Sequence, residues 1–217
     1  MRSFGPINSP ALILSLFSLL GIGLVATEYQ HTKATIAANE RAALLRALEE
    51  LVPAASFDND LLNDTATARD PALGDGKSIT VFIARKHGEP AAVILPVAAP
   101  DGYNGLIHLL IAVRADDSLA GVRVINHRET PGLGDFIEVE KSAWIKGFEG
   151  RSLNDPPEAR WKVKRDSGDF DQFTGATITP RAVVKSVKNT LEFFRSHRAE
   201  LFMAGHGEPG SARVLAK

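Results

Sequence analysis

The most informative stretch of this chain is Asp171-Gln172-Phe173-Thr174-Gly175-Ala176-Thr177, which ends just before a helical pattern. Thr179 is typical of a helix N-cap, and Pro180 suits the first helical position because its missing N–H needs no partner there. Apolar residues then recur at helical spacing: Val183, Val184, Val187, Leu191 and Phe194. Thr177 therefore lies just outside the positive end of a predicted helix, where backbone N–H groups favour an anion such as phosphate.

The same stretch resembles the flavinylation motif of the FMN-binding domain found in bacterial ion-translocating electron transport complexes. In that family the last Thr carries FMN through a phosphoester bond, so the resemblance assigns covalent FMN to Thr177. It also implies that Thr174, Gly175 and Ala176 bind the cofactor. A Thr hydroxyl is a poor nucleophile unless it is activated, so a separate flavin transferase is expected, as in the family. The alternative is a capped helix start with no further role.

A second motif is His127-Arg128-Glu129-Thr130-Pro131-Gly132-Leu133-Gly134, which resembles a segment of the G subunit in the Rnf-type complexes. Pro131-Gly132 is a turn dipeptide, and Gly134 permits a positive φ or a close backbone approach. The resemblance implies that Glu129, Thr130, Leu133 and Gly134 bind the flavin. An ordinary loop between a strand and a helix is the alternative.

A third segment, Lys162-Val163-Lys164-Arg165, is basic and precedes the attachment stretch. In the family a Lys near this point approaches the flavin, and we select Lys164 for that role. Lys162 and Arg165 are the alternatives, and these charges also suit a solvated strand edge.

The N-terminal region is a candidate membrane anchor. No residue from Ala11 to Ala26 is charged, and with its flanks this stretch is long enough to cross a bilayer core of about 30 Å. A cleaved signal peptide is the competing interpretation. We expect a retained, single-pass anchor over residues 1–29 in the bacterial inner membrane. The resemblance implies that the soluble domain lies on the periplasmic side.

Beyond the anchor, the sequence predicts an α+β fold with a mainly antiparallel sheet and flanking helices. An amphipathic helix is predicted over Thr32 to Val52, with Ile36, Leu44, Leu48, Leu51 and Val52 on one stripe and Pro53 ending it. Four strands are predicted at Ile79 to Arg85, Ala91 to Val97, Leu106 to Arg114 and Gly121 to Asn126. The helix after Pro180 should reach about Met203. The FMN-binding domain is then expected over residues 30–204, with a flexible tail over residues 205–217.

Composition limits the remaining possibilities. The 217 residues suffice for one good core, and a net charge of −1 gives no electrostatic case for nucleic-acid binding. There are no cysteines, which excludes disulfides and thiolate ligands to an iron–sulfur cluster in this chain. The six His residues show no metal-ligand spacing, so no metal is expected.

Together these features predict an electron carrier that relays electrons through covalent FMN and has no catalytic residues of its own. The expected partners are the membrane, the other membrane and redox subunits of the complex, and the flavin transferase. Two alternatives remain open at this point: the C subunit of the sodium-pumping NADH:quinone reductase, and a non-redox membrane-anchored binding module.

Overall fold

The computed structural model describes residues 9–74, 76–204 and 214–216. The chain divides into two compact units, Met1–Arg46 and Ala47–Lys217. The described part of the first unit belongs to a single helix, α1 (Ser9–Leu51), which is long and apolar enough to cross a membrane. The sequence predicted a separate amphipathic helix from Thr32, but the structure continues α1 through that point. The reason is that no Gly or Pro interrupts residues 24–52.

The last residues of α1 belong to the second unit. Leu48, Leu51 and Val52 are buried, as predicted, whereas Ile36 and Leu44 of the same predicted stripe are exposed. The helix ends at Leu51, because a residue that precedes Pro is disfavoured in the helical conformation. The Pro53 breaker was therefore identified correctly, and only the last turns of the stripe contribute to a core.

The second unit is built on a six-stranded sheet in the order β5-β4-β3-β2-β1-β6. Its strands are β1 (Thr65–Arg69), β2 (Ile79–Lys86), β3 (Glu89–Gly102), β4 (Gly105–Arg114), β5 (Leu119–Asn126) and β6 (Val214–Ala216). Strands β1 to β5 pair antiparallel, and β6 pairs parallel to β1. The predicted α+β fold is confirmed, and all four predicted strands are present. Strands β1 and β6 were not predicted.

A second helix, α2 (Ile178–Ala204), packs mainly against β3, with smaller contacts to the 3-10 helix Pro71–Leu73 and to β4. Its apolar stripe, which includes Val183, Val187 and Phe194, is fully buried against the sheet. Burial of such a stripe stabilises the domain by roughly 1.5–3 kcal/mol for each large apolar side chain, before the entropy cost of ordering it. The sheet and this stripe therefore hold the first turn of α2 in a fixed position.

The 51 residues 127–177 connect β5 to α2 mainly through turns and short 3-10 helices. An aromatic cluster fixes this long connection. The ring centroids of Trp144 and Phe148 are 5.3 Å apart, those of Phe148 and Phe170 are 4.8 Å apart, and those of Phe170 and Trp161 are 4.9 Å apart. Connections of this length that are ordered by their own side chains are commonly functional, and this one carries all three segments singled out from the sequence.

Candidate functional site

A cavity of about 330 Å³ lies at the start of α2. It is lined by Tyr103, Glu129, Thr130, Leu133, Gly134, Gly175, Ala176, Thr177, Ile178 and Thr179. The folded domain therefore brings together the turn between β3 and β4, the segment 127–134 and the attachment stretch. Among the residues selected from the sequence, only Thr174 and Lys164 do not line it.

The start of α2 differs from the prediction. The helix begins at Ile178, and the Arg181 backbone N–H donates to the Thr177 carbonyl oxygen at 3.3 Å. Thr179 is therefore a helical residue and not the N-cap, and Pro180 is the third helical residue and not the first. The physical reason is that the buried Thr179 hydroxyl donates to the Glu129 carboxylate, so it does not cap the helix. Thr177 occupies the flanking position that the sequence had given to Thr179.

Glu129 forms the floor of the cavity and is only 4% exposed. Its Oε1 accepts a hydrogen bond from the Asn104 backbone N–H at 3.0 Å, and its Oε2 accepts one from the Tyr103 backbone N–H at 3.3 Å. The Thr179 hydroxyl donates to the same Oε2. A buried carboxylate is costly unless it is hydrogen-bonded, and these three donors compensate it; no cationic side chain in the described part of the chain pairs with it. Glu129 thereby joins the β3–β4 turn to the first turn of α2.

Gly134 is required by close packing. Its φ is −87°, so the positive φ that the sequence allowed is not used. A Cβ at this position would lie 2.9 Å from Glu129 Cβ and 2.9 Å from Thr179 Oγ1. The second possibility, a close backbone approach, is the one the structure adopts. Gly132 is the residue of this loop with a positive φ, at 75°.

The His127 side chain holds the second motif in place through two hydrogen bonds. The Glu129 backbone N–H donates to Nδ1 of His127 at 3.0 Å, so Nδ1 is an acceptor. The ring hydrogen is then on Nε2, which lies 2.8 Å from Oε1 of Glu138 and donates to it. Both ring nitrogens are occupied in this way, and His127 is a positioning residue for Glu129.

The attachment stretch is anchored by aromatic side chains. The Trp144 indole N–H donates to the Asp171 carbonyl oxygen at 2.9 Å, and the Trp144 and Phe173 ring centroids are 5.2 Å apart. The Ala176 backbone N–H donates to the Phe173 carbonyl oxygen at 3.1 Å. Gly175 has a φ of 82°, which favours glycine, and completes the turn that presents Thr177.

Three threonines of this region differ sharply in environment. Thr179 is 1% exposed and its hydroxyl is bonded to Glu129. Thr174 is exposed and does not line the cavity. Thr177 is half-buried and lines the cavity, and its hydroxyl has no hydrogen-bond partner in the part of the chain that the structure describes. Among the described threonines that line the cavity, only Thr177 has a hydroxyl without a partner, since Thr130 accepts a hydrogen bond from Asn104.

Lys164 is placed differently from the other selected residues. Its Nζ lies 2.6 Å from Oδ1 of Asp171, in an exposed ion pair at the side of the attachment stretch. The other two basic residues of this segment, Lys162 and Arg165, do not line the cavity either. The approach of one of these three to a flavin therefore stays a prediction.

Two ion pairs flank the cavity. Lys141 Nζ donates to Oδ2 of the buried Asp135 at 2.9 Å, and this bond lowers the pKa of the Asp135 carboxyl below its usual 3.8. Arg181 donates to both carboxylate oxygens of Asp166, which lowers the Asp166 pKa in the same way. The second pair ties the segment before the attachment stretch to the first turn of α2.

The sequence analysis missed three lining residues: Tyr103, Ile178 and Thr179. Tyr103 is 65% exposed, and Leu133 and Ile178 are 42% and 43% exposed, so aromatic and aliphatic side chains form the mouth of the cavity. The only signal for Tyr103 was its place in the turn Gly102-Tyr103-Asn104-Gly105, where a large aromatic side chain at a hairpin tip has no packing role.

Comparison with known proteins identifies the family of this chain. The G subunit of the ion-translocating oxidoreductase complex of Pseudomonas aeruginosa is 51% identical over 201 residues, which cover 90% of this chain and 94% of that protein. This chain belongs to the family of Rnf-type G subunits. The proteins of the same name from Vibrio atlanticus and Vibrio cholerae are 42% and 40% identical over 195 and 203 residues. They cover 90% and 94% of this chain, and the matches span 93% and 95% of those relatives.

Two family models match separate parts of this Rnf-type chain. Residues 1–51 match the RnfG N-terminal region, and residues 102–192 match the FMN-binding domain. The second match contains every residue that lines the cavity. The family predicted from the sequence is confirmed.

The cavity of this G-subunit homologue is chemically suited to FMN. The backbone N–H groups of Ile178 and Thr179 at the start of α2 have no intrahelical acceptor, so they are available to a phosphate group. A Cβ at Gly175 would lie 3.4 Å from Leu133 Cδ2, so the absence of a side chain at Gly175 leaves space in the cavity beside Leu133. The apolar side chains at the mouth suit a planar aromatic ring.

Proposed function

We propose that this protein carries FMN, joined by a phosphoester bond to Thr177, and relays electrons within a membrane-bound ion-translocating oxidoreductase complex. Membership of the Rnf-type family and the FMN-binding domain support an electron-carrier role. The covalent bond keeps the cofactor at an open, water-facing cavity from which a reversibly bound one would be lost.

The observation that carries the attachment site is the contrast among the three threonines. Thr179 is excluded because its hydroxyl is buried and already donates to Glu129. Thr174 is excluded because it lies outside the cavity. Thr177 has the free hydroxyl, the lining position and the helix N-terminus that stabilises a phosphate.

No described side chain accepts a hydrogen bond from this hydroxyl, so none of them is placed to activate it. A flavin transferase therefore supplies the base. In the attachment step Thr177 Oγ forms a bond to the phosphorus of a flavin nucleotide that carries a second phosphate. The anhydride bond to that phosphate breaks, the phosphate leaves, and the Thr177 proton passes to the base of the transferase.

The lining residues have distinct roles in holding the cofactor. With FMN bound, Tyr103, Leu133 and Ile178 would exclude water from the planar ring, and Glu129 and Thr130 would offer oxygen atoms to its polar parts. When bound, FMN supplies the capacity to accept and donate electrons, and protein groups near it set its potential. A negative charge on Glu129 would oppose the addition of electrons nearby and would lower the midpoint potential of the flavin. Lys164 would act in the opposite direction if it exchanged Asp171 for the flavin.

The test is the Thr177→Val substitution in a host that contains the flavin transferase. Valine keeps the shape of threonine and removes the oxygen of the ester, so the variant should fold and lack the mass of FMN on its tryptic peptide. Thr174→Val is the matched control and should retain FMN in full. FMN attached to the Thr177→Val chain, or to Thr174 in the wild type, would refute the assignment.

The location and partners belong to the same proposal. We place the retained anchor in the inner membrane, the domain on the periplasmic side, and the other membrane and redox subunits of the complex as its partners. With a transferase that acts only outside the cytoplasm, a chain exported behind a cleavable signal should gain FMN, and the same chain kept inside should not. Loading of the cytoplasmic version would contradict the periplasmic placement.

The two alternatives are now less favoured. The curated relatives named above are G subunits of ion-translocating oxidoreductase complexes, which argues against the C subunit of the sodium-pumping NADH:quinone reductase. A non-redox binding module does not explain a match to the FMN-binding domain that contains the whole cavity. Yellow colour that survives denaturation and gel filtration would exclude the non-redox module.

A further inference from the structure

A second cavity, of about 250 Å³, lies beside the first, where β4 begins and β5 ends. Its walls include Asn104, Leu106, His108, Asn126, His127 and Arg128. Asn104 separates the two cavities, since its backbone N–H donates to Glu129 and its side-chain amide donates to Thr130 at 3.3 Å. The proposed flavin site makes no use of the side chains of Arg128, His108 and Asn126.

Three of these polar side chains are uncommitted. Arg128 and His108 are exposed and make no ion pair or hydrogen bond with any residue the structure describes, and the same holds for the side chain of Asn126. His127 differs, because both of its ring nitrogens are already bonded. The cavity thus presents a guanidinium, an imidazole and an amide, and no Asp or Glu among the described residues lines it.

A β-bulge in β5 brings two of these groups, His108 and Asn126, opposite each other. His108 on β4 pairs directly with Asn126 on β5, while the next pair is Leu109 with Val124. Ile125 is therefore an extra residue in β5, a β-bulge that leaves it exposed and places Asn126 opposite His108. Paired residues on adjacent strands have Cβ atoms roughly 4.5–5.5 Å apart. Bulges commonly re-aim side chains near functional sites.

The chemistry of the donors identifies the class of ligand. A guanidinium presents a planar fork of N–H groups that matches the two oxygens of a carboxylate or phosphate. Asn126 can add an amide N–H, and His108 can add a ring N–H. The volume is several times that of one water molecule, at about 30 Å³, and is below the usual size of a drug-like site. The space fits a small oxyanion or a single acidic side chain.

We propose that this second cavity, formed by Arg128, His108 and Asn126, is a binding site for an oxyanion of the carboxylate or phosphate class. The group could arrive as a free ion or on an acidic side chain of another protein, because the same donors recognise both. Arg128 directly precedes Glu129 of the flavin cavity, so a bound oxyanion would bring its negative charge next to that cavity. The site itself does not depend on the presence of FMN.

The experiment is isothermal titration calorimetry, in which each probe is titrated into the full chain in detergent at low ionic strength. The probes are inorganic phosphate, glutarate and a blocked tripeptide, Gly-Glu-Gly. We expect saturable binding of one probe per chain for phosphate or glutarate, weakened at least tenfold in Arg128→Gln and in Asn126→Leu. Lys146→Gln removes another exposed cation without a partner among the described residues, and it should bind as the wild type does. Peptide binding as tight as that of glutarate would identify an acidic side chain as the source.

The proposal is overturned if neither phosphate nor glutarate binds the wild type. It is also overturned if Arg128→Gln binds as tightly as the wild type, or if Lys146→Gln weakens binding equally. Tryptophan fluorescence of each variant verifies folding, and Asn126→Leu provides a second test if Arg128→Gln does not fold. Chains with and without FMN are compared, so that a failure of flavin attachment is read separately from a failure of oxyanion binding.

Discussion

Replacement of Thr179 by Val tests the central feature of the site, the buried carboxylate of Glu129. The substitution preserves the β-branched shape and removes one of three hydrogen-bond donors to that carboxylate. The Tyr103 and Asn104 backbone N–H groups, at 3.3 Å and 3.0 Å, would remain. A hydrogen bond to a charged group contributes about 1.5–3 kcal/mol, and loss of one between two buried side chains falls in the upper part of that range.

A second contribution has the same sign. A methyl group cannot approach a carboxylate oxygen as closely as a hydroxyl donor does, and Gly134 already packs tightly against both side chains. We therefore expect Thr179→Val to lower the free energy of unfolding by about 2–3 kcal/mol. For a domain of this size that corresponds to a fall of about 4–12 °C in Tm.

The assay is chemical unfolding of the intact chain in detergent, followed by tryptophan fluorescence. Both tryptophans, Trp144 and Trp161, lie in the second unit, so the signal reports on that unit. Thr174→Val is the matched control, because the exposed Thr174 hydroxyl has no partner among the described residues, and it should change stability by less than about 0.5 kcal/mol. A Thr179→Val chain as stable as the wild type would show that Glu129 does not need this donor.

Further predictions concern neighbouring residues and the anchor. Gly134→Val should lower stability and shift the absorption spectrum of attached flavin, because its side chain would collide with Glu129; an unchanged spectrum in a folded variant would place the loop away from the cofactor. Asp135→Asn should lower stability near pH 7. The pKa of Asp135 in the folded protein lies below 3.8, so the difference in unfolding free energy between wild type and variant should be full above about pH 5. It should vanish as the pH falls through that folded pKa, and urea unfolding at a series of pH values measures it. If the loss persists unchanged in acid, the Lys141 bond is not its source. Deletion through Tyr29 should give a chain that stays in solution without detergent after ultracentrifugation, and a mature full-length protein that begins near residue 27 would show a cleaved signal.

The sequence predicted most of this fold because its patterns were local and strong. The apolar spacing of α2 and the runs of β2 to β5 each carry enough information within one element. Strand β1, with the sequence Thr-Ala-Thr-Ala-Arg, was missed because it contains no large apolar residue. Strand β6 was missed because three residues in a Gly-rich tail give no strand signal, and its pairing with β1 depends on the tertiary fold.

The candidate site was predictable to the extent that its motifs are contiguous. The start of α2 was misplaced by two residues, since a Thr before a Pro indicates a cap locally, whereas the partner of Thr179 is Glu129, 50 residues earlier. Tyr103 entered the cavity through a hairpin tip that no spacing rule connects to Thr177. Lys164 shows the opposite case, because its nearest partner is Asp171 and spacing alone did not indicate that pair.

The position of Glu129 has a consequence for how this protein matures. Its carboxylate links residues that are 25, 26 and 50 positions away along the chain. A peptide that contains only residues 171–177 would include Thr177 but would have neither the floor nor the mouth of the cavity. An enzyme that reads the cavity as well as the local sequence would therefore load only chains whose β3–β4 turn, second motif and α2 have already met, and the presence of cofactor would then mark a chain that has finished folding.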